Sequence, residues 1–174
     1  MESILHLDWQ ILSAIEKLHC NFLDFLMPKL TMLGNYGILW IVLALVLLCI
    51  PKTRRCGCAL AIALVLALLL GNCLLKPLIA RLRPFAQNPA IALLIPSPED
   101  FSFPSGHTYS AVASALVIWH SNRKWGITAM VLALGIAFSR MYLMVHFLTD
   151  ILGGILLGAL CAFLAIQITK RCRS

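Results

Sequence analysis

The sequence predicts an all-α protein, a polytopic bundle of about six transmembrane helices with its working end at the extracytoplasmic membrane face. Three observations carry that expectation. Of 174 residues, 61% are hydrophobic and the mean hydropathy is +0.92. Only 12% are charged, about half the share of an ordinary soluble domain. The apolar residues fall into runs close to the roughly 20 residues needed to cross a hydrocarbon core. In water such a surface would aggregate, and a disordered chain has the opposite composition. The chain, 1–174, reads as a single membrane domain.

The elements follow in order. Residues 1–33 read as an amphipathic, interfacial segment or a first crossing. Ile11, Ala14, Ile15 and Leu18 recur at helical spacing opposite Glu16 and Lys17, and Phe22 to Leu33 is apolar but interrupted by Asp24, Pro28 and Lys29. Glu2 and Asp8 precede any long apolar run, which argues against a cleaved signal peptide. Spans are expected near 35–50, 56–80, 106–120, 125–143 and 146–169, with an extracytoplasmic loop over 84–104. Within that loop Ile91 to Ile95 is too short to cross and is expected to dip into the interface and wall an entry path. The basic clusters Lys52/Arg54/Arg55, Arg123/Lys124 and Lys170/Arg171/Arg173 fall on one side of alternating spans; the positive-inside rule makes that side cytoplasmic. This accounts for most of the net charge of +7 and removes the case for nucleic acid as a partner. The seven cysteines are an odd count mostly in or beside apolar runs. They suggest reduced fillers rather than a disulfide framework, and Cys56 and Cys58 stand too close for a zinc pair.

Four cations break the topological rule. Lys76, Arg81, Arg83 and Arg140 fall on the other side, where three polar islands meet. The first is Lys76 to Pro84: Lys76 and Arg83, seven residues apart, would share a helix face about 10 Å apart along the axis, with Arg81 pointing to lipid headgroups and Pro84 stopping the helix. The second is Pro104-Ser105-Gly106-His107 at a helix start, where Ser105 suits an N-cap and free N–H groups attract anions. The third is Ser139-Arg140 followed by His146 and Asp150 at i and i+4. There the carboxylate fixes one ring nitrogen and leaves the other free to attack. Gly154, Gly158 and Ala162 continue that stripe and read as close helix packing. Three cations and a helix start make a cage for a tetrahedral oxyanion such as phosphate. Of the two histidines, the one oriented by Asp150 suits a nucleophile and the other a proton donor to the leaving oxygen. No acidic cluster suited to a metal is visible, so no metal and no cofactor are expected.

These islands resemble the phosphatidic acid phosphatase type 2 family, whose tripartite signature K-x6-R-P, P-S-G-H, S-R-x5-H-x3-D is met at every fixed position between residues 76 and 150. The resemblance implies a membrane phosphatase with His146 as nucleophile, Asp150 as its orienter and His107 as general acid. Lys76, Arg83, Ser105, Gly106 and Arg140 would bind phosphate, without metal. It further implies a lipid phosphate or diphosphate as substrate partner, with undecaprenyl diphosphate ranked first and phosphatidylglycerophosphate or phosphatidic acid behind it. It places the protein in a bacterial plasma membrane with the site facing outward. A lipid phosphotransferase would use the same residues. A non-enzymatic transporter of lipid phosphate or anions would need the cations but not an oriented imidazole, and hydropathy makes a soluble haloperoxidase remote. Among the remaining residues, His120 reads as interfacial, His6 and His19 as surface positions on the N-terminal helix, and Trp9, Trp40, Trp119 and Trp125 as belt residues.

Overall fold

The computed structural model describes residues 2–171 as helices and connecting loops, with no strand among them. The elements are α1 (Glu2–Glu16), α2 (Asn21–Met32), a 3-10 turn (Asn35–Gly37), α3 (Ile38–Cys49), α4 (Arg54–Ala67), a π-helical segment (Leu68–Leu75), α5 (Lys76–Ile79), α6 (Pro84–Gln87), α7 (Gly106–Ser121), α8 (Arg123–Tyr142) and α9 (Leu148–Arg171). Four helical stretches among the described residues are long and apolar enough to cross a membrane: Asn21–Cys49, Arg54–Gln87, Arg123–Tyr142 and Leu148–Arg171. The expected spans 35–50, 56–80, 125–143 and 146–169 each coincide with one of them or part of one. Residues 22–33 were expected to cross alone or lie in the interface. They run on instead into residues 38–49 as one apolar stretch, broken where Tyr36 and Gly37 adopt positive φ of 53° and 66°.

The bundle is built around α7. This helix packs on α4, α8 and α9, and Tyr109, Ala111, Val112, Ala113, Ala115 and Val117 are buried there. Small residues set the spacing, as the stripe on α9 predicts. A Cβ at Gly158 would stand 2.6 Å from the Tyr109 carbonyl oxygen, and one at Gly154 2.9 Å from Thr108 Cβ. Only glycine lets the backbones approach that closely. Outward-facing side chains are apolar instead: Val131, Leu134, Leu156 and Phe163 are all more than half exposed, the surface a hydrocarbon solvent accepts. The termini of the long helices alternate, so Arg54, Arg55, Arg123, Lys124 and Lys170 gather at one end and the three polar islands at the other.

The N-terminal helix is amphipathic as expected, but its inner face lies one position away from the anticipated stripe. Leu12 and Ile15 are buried while Ala14 and Leu18 are exposed, and Asp8 lies one turn before Leu12, 1% exposed. It packs on α8 and α9. His19 is not on that helix; it follows it, pairs with Asp24 at 2.8 Å and stacks on Tyr142. Trp40 is no belt residue either: it is 2% exposed in the core. Trp119 and Trp125 are exposed as expected, and Trp9 meets the Phe147 ring edge-on at 5.1 Å. In the loop after α6, Ile91, Leu93 and Ile95 turn inward onto the cluster around Leu143, Val145 and Phe147, while Leu94 stays outside. The six described cysteines Cys20, Cys49, Cys56, Cys58, Cys73 and Cys161 are free.

Candidate active site

Lys76 reaches the site by a route that helix periodicity does not describe. Between α4 and α5 the chain widens into the π-helical segment, where Gly71 lies against the Tyr109 ring and the Tyr109 hydroxyl donates to Asn72 Oδ1 at 2.7 Å. Such widening is the usual mark of a functional position on a long helix. The helix then ends at Ile79, because Ala80 takes the left-handed conformation (φ 48°). Lys76 and Arg83 therefore do not share a helix face, and Pro84 does not stop a helix; it opens α6 at its first position.

What brings Lys76 and Arg83 together is Asp100. Lys76 Nζ donates to Asp100 Oδ2. Arg83 donates through Nη2 to Asp100 Oδ1 at 2.6 Å and through Nε to the Asp100 carbonyl at 2.8 Å. Both cations are buried, whereas the Asp100 side chain is half exposed. Burial would raise the Asp100 carboxyl, but the hydrogen bond and charge of Lys76, followed by those of Arg83, hold it down at about 2. Sequence reasoning missed this residue, since one carboxylate in a loop carries no periodic or motif signal.

Arg83 also touches the third island. Its Nη1 donates to the Val145 carbonyl at 2.8 Å and lies 3.0 Å from His146 Nε2. On the other side of the ring, His146 Nδ1 faces Asp150 Oδ2 at 3.4 Å. These contacts fit the tautomer with the proton on Nδ1 and the lone pair on Nε2. The expected carboxylate partner is thus present, but the second nitrogen is not free: its lone pair points at Arg83. Asp150, fully buried, also accepts from the Phe147 N–H at 2.9 Å and from the Ser102 hydroxyl. Met144, at φ 58°, turns the chain between α8 and this histidine.

The second island begins at the first turn of α7. Ser105 occupies the N-cap position, but its side chain makes no cap bond. Its Oγ accepts from Thr108 Oγ1 at 3.0 Å, and its N–H donates to the Asp150 carbonyl at 3.1 Å. The first amides of α7 stay without a side-chain cap, beside Lys76, whose Nζ would lie 3.8 Å from a Cβ at Gly106. His107 is held from outside its own motif. Its Nε2 lies 2.9 Å from Asn35 Oδ1, and the Gly34 backbone is so close that a Cβ there would stand 2.6 Å from the ring. Asn35 and Gly34 belong to no motif and were not anticipated.

Arg140 is buried on α8. It donates from Nη1 to Thr31 Oγ1 at 2.7 Å, leaves Nε without a partner, and makes no ion pair among the described residues. Arg81, expected to reach toward headgroups, does not. It lies between Asp8 and Asp150, with Nη2 donating to Asp8 Oδ2 at 2.7 Å and Nη1 to Asp150 Oδ1 at 2.6 Å. The three islands therefore meet at one end of the bundle: Lys76, Arg83 and Arg140 lie within electrostatic reach of both His107 and His146.

A family model for the PAP2 superfamily matches residues 57–174. The chain belongs to the PAP2 superfamily. It is similar to an undecaprenyl-diphosphatase of Sulfolobus acidocaldarius, 37% identical over 139 residues that cover 78% of this chain and 67% of the relative. It is also similar to the undecaprenyl-diphosphatase BcrC of Bacillus subtilis, 28% identical over 169 residues, 96% of this chain and 86% of that one. Among solved structures it matches the transmembrane PAP2-type phosphatidylglycerolphosphate phosphatase of Bacillus subtilis, with a TM-score of 0.81 and 29% identity over 98% of this chain and 88% of that one. This PAP2 chain is therefore an enzyme, a multi-pass membrane phosphatase of the lipid phosphatase family.

Proposed function

We propose that this PAP2 protein hydrolyses the terminal phosphate of undecaprenyl diphosphate, facing the extracytoplasmic side, through a phosphohistidine on His146 and without a metal. The observation that carries the reading is Arg140, a guanidinium 3% exposed that makes no ion pair among the described residues. A buried charge without a counter-charge is costly, and a substrate phosphate supplies what it lacks. Lys76, Arg83, the Ser105 hydroxyl and the first amides of α7, those of Gly106 and His107, complete the same cage.

The chemistry then proceeds in two balanced steps. The Nε2 lone pair of His146 turns from Arg83 to the phosphorus, a P–N bond forms and the bond to the lipid-side oxygen breaks, with His107 passing its proton to that oxygen. Water next attacks the phosphorus, His107 takes its proton, the P–N bond breaks, and inorganic phosphate leaves. Asp150 holds the Nδ1 proton and balances the imidazolium charge as it develops. Lys76, Arg83 and Arg140 stabilise the spreading oxyanion charge. Among the described residues no group of three His, Cys, Asp or Glu side chains is placed to hold a metal ion. The choice of substrate is supported by the names of the relatives. The test is phosphate release by purified protein in detergent with EDTA, comparing undecaprenyl diphosphate, phosphatidylglycerophosphate and phosphatidic acid by kcat/KM. Release is expected from all three, fastest from the first. No release in EDTA would overturn the metal-free mechanism, and a faster phosphatidylglycerophosphate would move the substrate.

Asp100 makes a separate prediction. Its carboxylate stands in for one phosphate oxygen pair between Lys76 and Arg83, so an incoming phosphate competes with it. Asp100→Ala is expected to lower the inhibition constant of inorganic phosphate by about tenfold, 1.4 kcal/mol; an unchanged or higher constant would show that the carboxylate does not compete. The tether itself is insensitive to ordinary pH. Because its folded pKa of about 2 lies below the usual 3.8, the ion pair contributes fully above about pH 4 and is lost as pH falls toward 2.

A further inference from the structure

We propose that Arg81 is a positioning residue for the His146–Asp150 pair, and that α1 takes part in the reaction by holding this arginine through Asp8. The inference deepens the functional reading above and rests on it. The guanidinium is gripped on both sides by carboxylates that are themselves out of solvent. Asp8 is 1% exposed and Asp150 0%. Nη1 donates to Asp150 Oδ1 and to Thr149 Oγ1, both at 2.6 Å, and Nη2 donates to Asp8 Oδ2 at 2.7 Å. The guanidinium carbon, Cζ, lies over the Phe147 ring, 4.4 Å from its centre. Asp8 accepts in addition from the Thr149 N–H at 3.0 Å and from its hydroxyl.

Each contact removes a freedom from Asp150. Its Oδ2 faces the histidine and accepts from Phe147 N–H and Ser102, so Oδ1 is the only part of the carboxylate left to fix, and Arg81 fixes it. The charge arithmetic points the same way. Without the guanidinium, two buried carboxylates would repel each other across Thr149, and the full negative field of Asp150 would fall on the imidazole. A helix that needed only to be docked would do so more cheaply with apolar contacts, which α1 already has in Leu12 and Ile15. Burying Asp8 against Arg81 makes sense if Asp150 is what must be held.

Of the charged and titratable groups around the His146 ring, Arg83 and Asp150 touch it, and Lys76 from the segment after α4, His107 from α7 and Arg140 from α8 act on it through space. Arg81 and Asp8 stand behind Asp150, so they reach the ring by holding that carboxylate and by the charge they place behind it. The two predicted signs are opposite. Arg81→Met leaves Asp150 uncompensated, the imidazolium is favoured, and the acid limb of kcat/KM moves up by about half a pH unit or more. Asp8→Asn frees the charge of Arg81 to oppose protonation, and the limb moves down.

The experiment measures kcat, KM and the pH profile of phosphate release for wild type, Arg81→Met, Arg81→Lys, Asp8→Asn and His146→Ala, with melting temperature beside each. Arg81→Met is expected to lower kcat about ten- to a hundredfold with KM within twofold. Arg81→Lys should return the limb most of the way while recovering only part of kcat. Limbs that stay in place in folded Arg81→Met and Asp8→Asn, or that move in the same direction, would overturn the positioning role and leave the nucleophile intact. If Arg81→Met does not fold, Asp8→Asn decides: its limb must move down relative to wild type and to Arg81→Lys, and a limb that stays or moves up overturns the role. Turnover surviving in His146→Ala would overturn the functional reading, and the positioning role with it.

Discussion

Replacing His146 with alanine is expected to reduce phosphate release about ten-thousandfold or more, the scale on which removal of a covalent nucleophile acts. The physical reason lies in what remains. Lys76, Arg83, Arg140 and the start of α7 would still bind the anion, but nothing would carry the phosphoryl group, and the surviving rate would be that of water attack in a cationic cage. The ring is 1% exposed, so its loss also opens a small void beside Arg83. Melting temperature and elution volume must accompany the rate. A direct check separates chemistry from folding: wild type quenched during turnover of a terminally labelled lipid diphosphate should carry label in an acid-labile, base-stable P–N bond. The alanine variant should carry none. Measurable turnover with the label still attached would assign the nucleophile to another side chain.

Arg140→Met is expected to lower kcat/KM about a hundred- to a thousandfold while leaving the melting temperature unchanged or raised. The two effects part because, under the proposed function, the arginine is costly to the fold and serves only the substrate. Among the described residues its side chain donates to Thr31 Oγ1 at 2.7 Å, and its Nε has no partner. Buried charged groups of this kind are often replaced by apolar side chains of similar volume at no loss of stability. A melting temperature that falls several degrees with activity intact would make Arg140 a structural post rather than a phosphate ligand. Its removal should also weaken inhibition by inorganic phosphate, opposite to the change expected at Asp100.

The pH profile of the wild type is expected to be bell-shaped, since one histidine must be neutral to attack and the other protonated to release the leaving oxygen. Asp100 contributes to neither limb between pH 5 and 9, because its carboxyl is held at about 2. A flat rate across that range would argue against two-histidine chemistry.

The sequence by itself determined the solvent of this protein, its main helices and the residues that converge. Hydropathy is additive along the chain, so spans such as 125–143 and 146–169 could be read within a few residues of α8 and α9. The three islands could be read because cations, histidines and an i,i+4 carboxylate set in or beside long apolar runs are expensive enough to demand a reason. Tertiary structure alone decided how they are held. Lys76 and Arg83 meet through the Asp100 carboxylate after a π-helical widening and a left-handed residue at Ala80, not through the helix face their spacing suggested. Arg81 turned inward to a carboxylate on α1, 73 residues away in the chain, and His107 rests on Asn35, 72 residues away. Such partners leave no periodic trace, because a hydrogen bond between distant segments depends on where the backbone brings two side chains and not on the residues lying between them.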